Sequence, residues 1–403
     1  MDCKSIICDA NNLYEAYLKT IKGSKWKETT QKFALNYLRN IFKLIDELLK
    51  QSYLPGEEGE FTLNERGKIR PITTLQPRDR LVRHVVCDEI LMPEVEKKII
   101  YDNGASIKGK GIGHSRKRFE VHVHKAFEEY GTNELYCLFG DFSKFYDNII
   151  HEIAKNQLLE LFHYDEYLDW LLTVIFDNFK VDVSYMPDEE FESCISDVFN
   201  RLDYRKIPKE FKTGERFMEK SLNIGDQLSQ IVGIYYPNRM DTYVKFVRSM
   251  KYYGRYMDDF YIISNSKEEL MSVFEGMVKI ADELGIHMNM KKTHIGRLDK
   301  VNKYLQVKYT LTDTGHLIKR INPKRVTKMR QKMKGLKRKL DRGETSYESI
   351  EEMFRSWMGS FYKVMSKSQR LQLIKIFEDS FYRKVTFKKQ SWKWKMIIEE
   401  VEV

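Results

Sequence analysis

Apolar residues near the start of the chain recur at helical spacing. Phe33, Leu35, Leu38, Ile41, Ile45 and Leu48 follow one another at steps of two to four, so residues 1 to about 55 read as helices. Pro55-Gly56 stops the pattern. The next stretch, GEFTLNERGKIRPITTL, predicts a hairpin of two β-rich runs around the polar turn Asn64-Glu65-Arg66-Gly67. A helix is expected over 79–91, ended by Pro93, and a glycine- and lysine-rich loop over 103–113. The run LYCLFGDF (135–142) has the length of a buried strand, and a helix begins near Asn148. Residues 157–220 mix helical spacing with acidic and basic patches and read as a connecting insertion. A helix is expected over 228–248. KYYGRYMDDFYIIS then predicts a hairpin with Met257-Asp258-Asp259 at its tip, followed by a helix over 267–284 and a strand pair over 304–309 and 316–321. From Pro323 onward the chain is expected to be helical and strongly basic. Strand, helix, helix, hairpin, helix, strand predicts an α+β fold of the split βαβ kind, with helices over one face of an antiparallel sheet.

The length, 403 residues, allows two or three subdomains. A hydrophobic content of 42% predicts a packed core. The 69 Lys and Arg against 59 Asp and Glu leave a net charge of +10, which suits a polyanionic partner without specifying one. Cys3, Cys8, Cys87, Cys137 and Cys194 are odd in number and form no CxxC pair, so neither a disulfide framework nor a zinc site is expected. His122 and His124 do not share a helical face and read as surface residues. The N-terminus lacks the apolar stretch of a signal peptide, and no apolar run reaches bilayer length. A cytoplasmic protein without a membrane partner is expected.

The candidate chemistry lies in two acidic motifs. In isolation Asp258-Asp259 would read as a polar turn. Here the pair interrupts apolar β-formers, where carboxylates are costly unless neutralised. Magnesium favours carboxylate and phosphate oxygens. A second carboxylate, Asp141, ends the upstream strand. Two metal ions about 4 Å apart between Asp141 and Asp258 would activate a hydroxyl nucleophile and stabilise a pyrophosphate leaving group. Asp259 would tune the site, and Asp147 reads as the N-cap of the following helix. Lys68 and Arg70 share one face of their strand and suit a phosphate chain.

From about residue 50 to about 365 the chain resembles bacterial, group II intron-like reverse transcriptases. Asp141-Phe-Ser-Lys-Phe-Tyr146-Asp147-Asn148 resembles the family's first aspartate motif and Tyr256-Met-Asp-Asp259 the second. The resemblance implies a right-hand polymerase fold. Residues 1–55 would form an N-terminal helical extension, 56–135 the fingers, 136–156 with 221–310 the palm, 157–220 the insertion, and 320–403 a basic helical thumb. It implies RNA-templated DNA synthesis with two Mg2+ ions (or Mn2+) held by Asp141, Phe142 and Asp258. Asp141, Asp258 and Asp259 would be the catalytic carboxylates. Tyr146 would be a steric gate against the 2′-hydroxyl. Lys68, Arg70, Arg80, Gln230 and Lys292 would meet the nucleotide, Lys292 near the pyrophosphate.

Gly225 and Ser229, in IGDQLSQ, would lie under the template–nucleotide pair, Gly225 letting the backbone approach the substrate. Tyr256, Met257 and Leu305 would contact template and primer, Leu305 in a primer-grip turn where Gln306 replaces the usual glycine. Asn223 stands where proline is frequent, and Ser229-Gln230 where intron enzymes carry Ser-Pro. The Ser-Gln form points to diversity-generating or defence-associated enzymes. In INPKRVTKMRQKMKGLKRKLDR, Val326, Met329, Met333, Leu336 and Leu340 share one face. Lys324, Arg325, Lys328 and Lys332 lie elsewhere on the same helix, where repulsion between like charges would be relieved by a phosphate backbone. Arg355-Ser356-Trp357 and Phe361-Tyr362 read as core packing.

No RNase H, endonuclease or maturase segment is expected after the thumb. The expected partners are an RNA template, the DNA product, deoxynucleotides, and an accessory protein or a second copy. Antiphage defence with a dedicated noncoding RNA is the leading role. Diversity generation from a template repeat is the first alternative, and a non-catalytic RNA-binding scaffold is the alternative of another class.

Overall fold

The N-terminal pattern folds as four helices, α1 (Cys3–Ile7), α2 (Ala10–Ile21), α3 (Glu28–Leu35) and α4 (Tyr37–Leu49). The apolar run over 33–48 is not one helix. It breaks at Asn36, whose φ of −129° leaves the helical region, and asparagine competes with helical hydrogen bonding. Ile41, Leu44 and Leu48 are buried, whereas Leu35 and Leu38 are exposed. The computed structural model describes residues 2–65, 68–390 and 393–400, and of residues 65, 68, 390, 393 and 394 the main chain alone.

Strands β1 (Gly59–Glu65) and β2 (Lys68–Thr74) form the expected hairpin, paired from Gly59↔Thr74 to Glu65↔Lys68. Helix α5 (Pro77–His84) runs through a π-helical turn (Val85–Leu91) into α6 (Met92–Lys98), so Pro93 does not end the helix as expected. It occupies the first turn of α6, where its missing N–H costs little. Helix α7 (Ile112–Tyr130) leads to β3 (Tyr136–Gly140) and β4 (Phe142–Ser143). Helix α8 (His151–Glu160) starts after a 3-10 turn, Phe145–Asn148.

The insertion contains α9 (Glu166–Asp177), β5 (Val181–Asp182), α10 (Asp188–Ser196), α11 (Arg201–Arg205) and β6 (Phe217–Met218). It has its own apolar cluster of Val183, Met186, Phe199 and Met218. The helix expected over 228–248 is divided into α12 (Gln227–Tyr235), α13 (Asn238–Thr242) and a π-helical turn (Tyr243–Val247). Pro237, which cannot continue a helix, stands between α12 and α13. Then come β7 (Tyr252–Tyr256), β8 (Asp259–Ser264), α14 (Lys267–Glu283), β9 (His287–Met288) and β10 (His294–Arg297). The remainder is β11 (Asn302–Tyr304), β12 (Val307–Leu311), β13 (Leu317–Ile321), α15 (Pro323–Asp341), α16 (Tyr347–Phe361), α17 (Lys367–Phe381), β14 (Arg383–Gln390) and β15 (Lys393–Glu400).

The chain divides into two compact units, Met1–Ser115 with Leu138–Ile295 and Arg116–Cys137 with Gly296–Val403. The first contains most of the four-stranded sheet, order β10-β3-β8-β7, with β7 and β8 antiparallel. Strand β8 is buried on successive residues from Phe260 to Ser264, so both faces are covered and its sequence reads as an apolar run rather than an alternation.

In the second unit the meander β11-β12-β13 packs on α7, with Phe119 against Tyr304 and Tyr309 at ring separations of 5.1 and 4.9 Å. Helix α15 buries Val326, Met329 and Met333, with Leu336 and Leu340 partly buried, in one cluster with Phe354 and Phe377. Trp357, Phe361 and Tyr362 join that cluster, as expected. The chain does not stay helical to the end, because β14 and β15 pair from Arg383↔Glu400 to Gln390↔Lys393. The signal was an alternation: Val385 and Phe387 on one strand, Met396 and Ile398 on the other, pack on the helical core. His122 is buried beside Arg118 rather than at the surface, while His124 is exposed. The five cysteines are free. Among the described residues no helix is long and apolar enough to cross a membrane.

Candidate active site

The β7–β8 hairpin presents one carboxylate at its tip. Tyr256↔Asp259 is the last pair, so the turn is Met257-Asp258 and Asp259 already belongs to β8. Met257 has φ +55°, a left-handed conformation that costs a residue with a side chain about 1 kcal/mol. Asp141, 5% exposed, sits at the break between β3 and β4. Its carbonyl accepts the Asn289 N–H at 2.7 Å, and β4 pairs with β9 through Phe142↔Met288. The segment carrying Lys292 is thereby drawn alongside the first aspartate, and Lys292 Nζ bonds the Asp141 carboxylate.

Asp141 and Asp258, distant in sequence, bring their carboxyl groups within hydrogen-bonding reach. Burial, then the charges of Asp259 and Asp141, push Asp258 up to about 7. Desolvation would lower Lys292, but the Asp141 carboxylate outweighs it and holds the ammonium above its ordinary value. Among the described residues no group of three His, Cys, Asp or Glu side chains is arranged to hold a metal. Asp259 is exposed at the start of β8. The donor set still fits magnesium. Two carboxylates meet, Asp258 at the wall of a cleft and Asp141 buried beside it, and this ion takes one or two carboxylates and fills its other positions with substrate phosphates and water. Phe142 can add only its main-chain carbonyl. The raised Asp258 is what a bound cation would reverse.

The cleft has a volume of about 1140 Å3, and Arg70, Tyr146, Gly225, Ser229, Gln230, Met257, Asp258 and Lys292 all line it. Tyr146 is half-buried, with its hydroxyl 3.8 Å from Met257 Sδ. A Cβ on Gly233 of α12 would lie 2.7 Å from that hydroxyl, so the glycine leaves the ring its seat. Burial, then Asp258, pushes the phenol up. Arg70 is exposed on β2. Lys68 begins β2, but its side chain lies outside the described residues. Arg80 is half-buried on α5 and does not line the cleft.

Gly225 has φ +113°, and a Cβ there would lie 2.7 Å from the Thr73 carbonyl. The close approach is therefore to β2, where the Thr73 N–H also donates to Ile224 at 2.9 Å. The glycine joins its motif to the strand bearing Arg70. Ser229 is buried, and its hydroxyl has no hydrogen-bond partner among the described residues. Gln230 is exposed and accepts from Ser106 Oγ at 3.4 Å. Tyr256 is half-buried and does not line the cleft.

Asp147 is not a helix cap. Ile150 precedes α8 with no side-chain cap, because the intervening 3-10 turn moves the helix start beyond reach of residue 147. Asp147 instead accepts the main-chain N–H of Arg201, and Asn148 exchanges bonds with the main chain of Phe199. The insertion is pinned in this way to the first aspartate motif.

In the second unit, Leu305 and Gln306 occupy a turn with φ +40° and +75°. Leu305 is buried, and its carbonyl accepts from Arg116 at 3.0 and 2.7 Å. Lys324, Lys328 and Lys332 are exposed at four-residue steps along α15. Arg325 is half-buried, 5.2 Å from the centre of the Phe361 ring.

One buried pair that supports the site was missed from sequence. Arg83 donates to Asp226 at 2.9 Å, and Asp226 also caps α12 through the Leu228 N–H. The available signal was a lone arginine inside the apolar run 81–86.

Residues 58–310 match the family model for reverse transcriptase (RNA-dependent DNA polymerase). Among solved structures the chain is similar to apo telomerase from Candida tropicalis, at 14% identity and a TM-score of 0.45, covering 81% of this chain and 63% of that one. It is also similar to the same telomerase truncated from the C-terminal domain, at 14% identity and a TM-score of 0.41, covering 64% and 54%. The chain thus spans between half and two thirds of the solved chains it resembles. No curated protein matches it. With the match covering more than half of its length, the chain belongs to the reverse transcriptase family.

Proposed function

We propose that this protein is an RNA-directed DNA polymerase whose nucleotidyl transfer takes place in the cleft of the first unit. The meeting of the Asp141 and Asp258 carboxyl groups carries the reading. Divalent cations bound there, with Asp141, Asp258 and the Phe142 carbonyl as ligands, supply hydroxyl activation and charge neutralisation at the leaving pyrophosphate. The other residues bind and exclude. Arg70 from β2 and Lys292 from the other wall bring positive charge to a triphosphate. Tyr146 closes the space where a 2′-hydroxyl would project. Gln230 offers a polar group to sugar or template, and the exposed lysines of α15 suit a phosphate backbone without sequence preference. In this reading β1–β2 and their flanking helices are fingers, the four-stranded sheet is the palm, and α15–α17 the thumb.

The test is primer extension on an RNA template with deoxynucleotides and Mg2+. Asp258→Ala abolishes DNA synthesis and leaves RNA binding intact. A wild-type chain that makes no DNA removes the polymerase reading, and a variant that still extends the primer removes Asp258 from its chemistry. A biological effect that survives in this variant favours a non-catalytic scaffold.

The leading biological role is antiphage defence in the cytoplasm, with a dedicated noncoding RNA as template and an accessory protein or second copy as partner; the Ser229-Gln230 form supports defence and diversity generation alike. Sequencing cDNA made in cells tests it: noncoding-RNA-derived product supports defence, and adenine-directed errors from a template repeat indicate diversity generation.

A further inference from the structure

Arg255 precedes the second aspartate motif on β7 and is 0% exposed, as is its partner Asp241 on α13. The guanidinium uses all three nitrogens. Nε donates to Asp241 at 2.8 and 3.1 Å, and Nη2 donates to Asp241 at 2.6 Å. Nη2 also donates to the Ile234 carbonyl of α12 at 2.7 Å, and Nη1 to the Met257 carbonyl at 3.0 Å. Asp241 takes a further hydrogen bond from the Tyr253 hydroxyl. The Arg255 main chain is held too, by Asp102 at 3.1 Å and Gly104 at 3.2 Å.

A buried ion pair is a poor way to gain stability, because apolar residues of similar volume serve as well or better. What apolar residues cannot do is bond main-chain carbonyls. Both carbonyls that Arg255 holds are adjacent to working parts of the cleft. Met257 is the left-handed residue immediately before Asp258, and Ile234 follows Gly233, the seat of Tyr146. We infer that Arg255 is a positioning residue: oriented by Asp241, it clamps the Met257 carbonyl and so fixes the turn that aims the Asp258 carboxylate, an inference that rests on the polymerase reading above.

Two variants of the full chain test it. Arg255→Lys keeps the charge opposite Asp241, but one nitrogen cannot span both carbonyls and the carboxylate. Arg255→Met combined with Asp241→Asn removes the charges together and leaves Tyr253 an acceptor. Three quantities are measured: thermal melting, kcat and KM for deoxynucleotide, and Mn2+ binding by electron paramagnetic resonance without nucleotide. In whichever variant folds, kcat falls roughly tenfold to a hundredfold with KM unchanged. Mn2+ affinity drops about tenfold. If the folded double variant keeps wild-type kcat and Mn2+ affinity, Arg255 only supports the core and the inference is overturned. Failure of the wild-type chain to make DNA removes the polymerase reading instead, and the Mn2+ arm still decides the role of Arg255.

Discussion

Acidification from pH 8 to pH 6 should weaken divalent-cation binding about tenfold, because one carboxyl of the site is already reluctant to ionise. Asp258 stands at about 7 through its burial and the charges of Asp259 and Asp141. A cation binds the carboxylate, so binding below pH 7 releases a proton, and affinity falls about tenfold for each pH unit below that value. Between pH 8 and pH 6 the ionised fraction drops from roughly nine tenths to roughly one tenth. The sign for folding is opposite. A carboxyl raised above its ordinary range contributes stability fully present below about pH 4 and lost as pH rises through 7, so the metal-free fold is strained in alkali and a cation relieves it. Asp259→Asn removes the first of the two neighbouring charges. It should move the midpoint down and flatten the dependence between pH 6 and 8. The assay is Mn2+ titration at constant ionic strength at pH 6, 7 and 8. Equal wild-type affinity at pH 6 and 8 would refute the reasoning, and weaker binding by Asp259→Asn at pH 6 would make Asp259 itself a ligand.

Tyr146→Ala should admit ribonucleotides, lowering discrimination in single-nucleotide incorporation by on the order of 100-fold; unchanged selection removes the gate. Gly233→Ala places a Cβ 2.7 Å from the Tyr146 hydroxyl and should displace the ring, altering KM for deoxynucleotides in the same assay. His151 is buried with Nε2 against the Ser221 carbonyl at 2.6 Å, and burial lowers it from 6.5 to about 4. Its stabilisation is complete above about pH 6.5 and is lost as pH falls towards 4, by about 3 kcal/mol. Urea unfolding of His151→Gln should show a correspondingly smaller loss between pH 7 and 4.5.

Where periodicity was long and uninterrupted, it predicted the right element. The hairpins at 59–74 and 252–264, the helix α14 and the apolar face of α15 all follow from spacing of two or three to four. Breaks were harder to read. Asn36 and Pro237 interrupt helices that the apolar pattern alone carries through. Pro93 fails to interrupt one, because the π-helical turn before it places the proline in a first turn. The terminal β14–β15 hairpin was hidden by the basic composition that also marks the helices before it.

The carboxylates Asp141 and Asp258, the gate candidate Tyr146 and the cations Arg70 and Lys292 were all legible in the chain. Asp141, Asp258 and Arg70 stand where charge and strand geometry restrict the residue type, whereas Tyr146 and Lys292 were singled out by the resemblance to the family. The sequence alone also determined that acids inside apolar strands need neutralising. What only tertiary structure decided is which groups do the holding. Lys292 lies on Asp141, Arg83 on Asp226, Arg255 on Asp241 and Met257, and Gly225 against Thr73. These are long-range pairings across separate elements. Local spacing cannot encode them, because they depend on how buried surfaces meet and on the requirement that every buried charge and carbonyl find a partner.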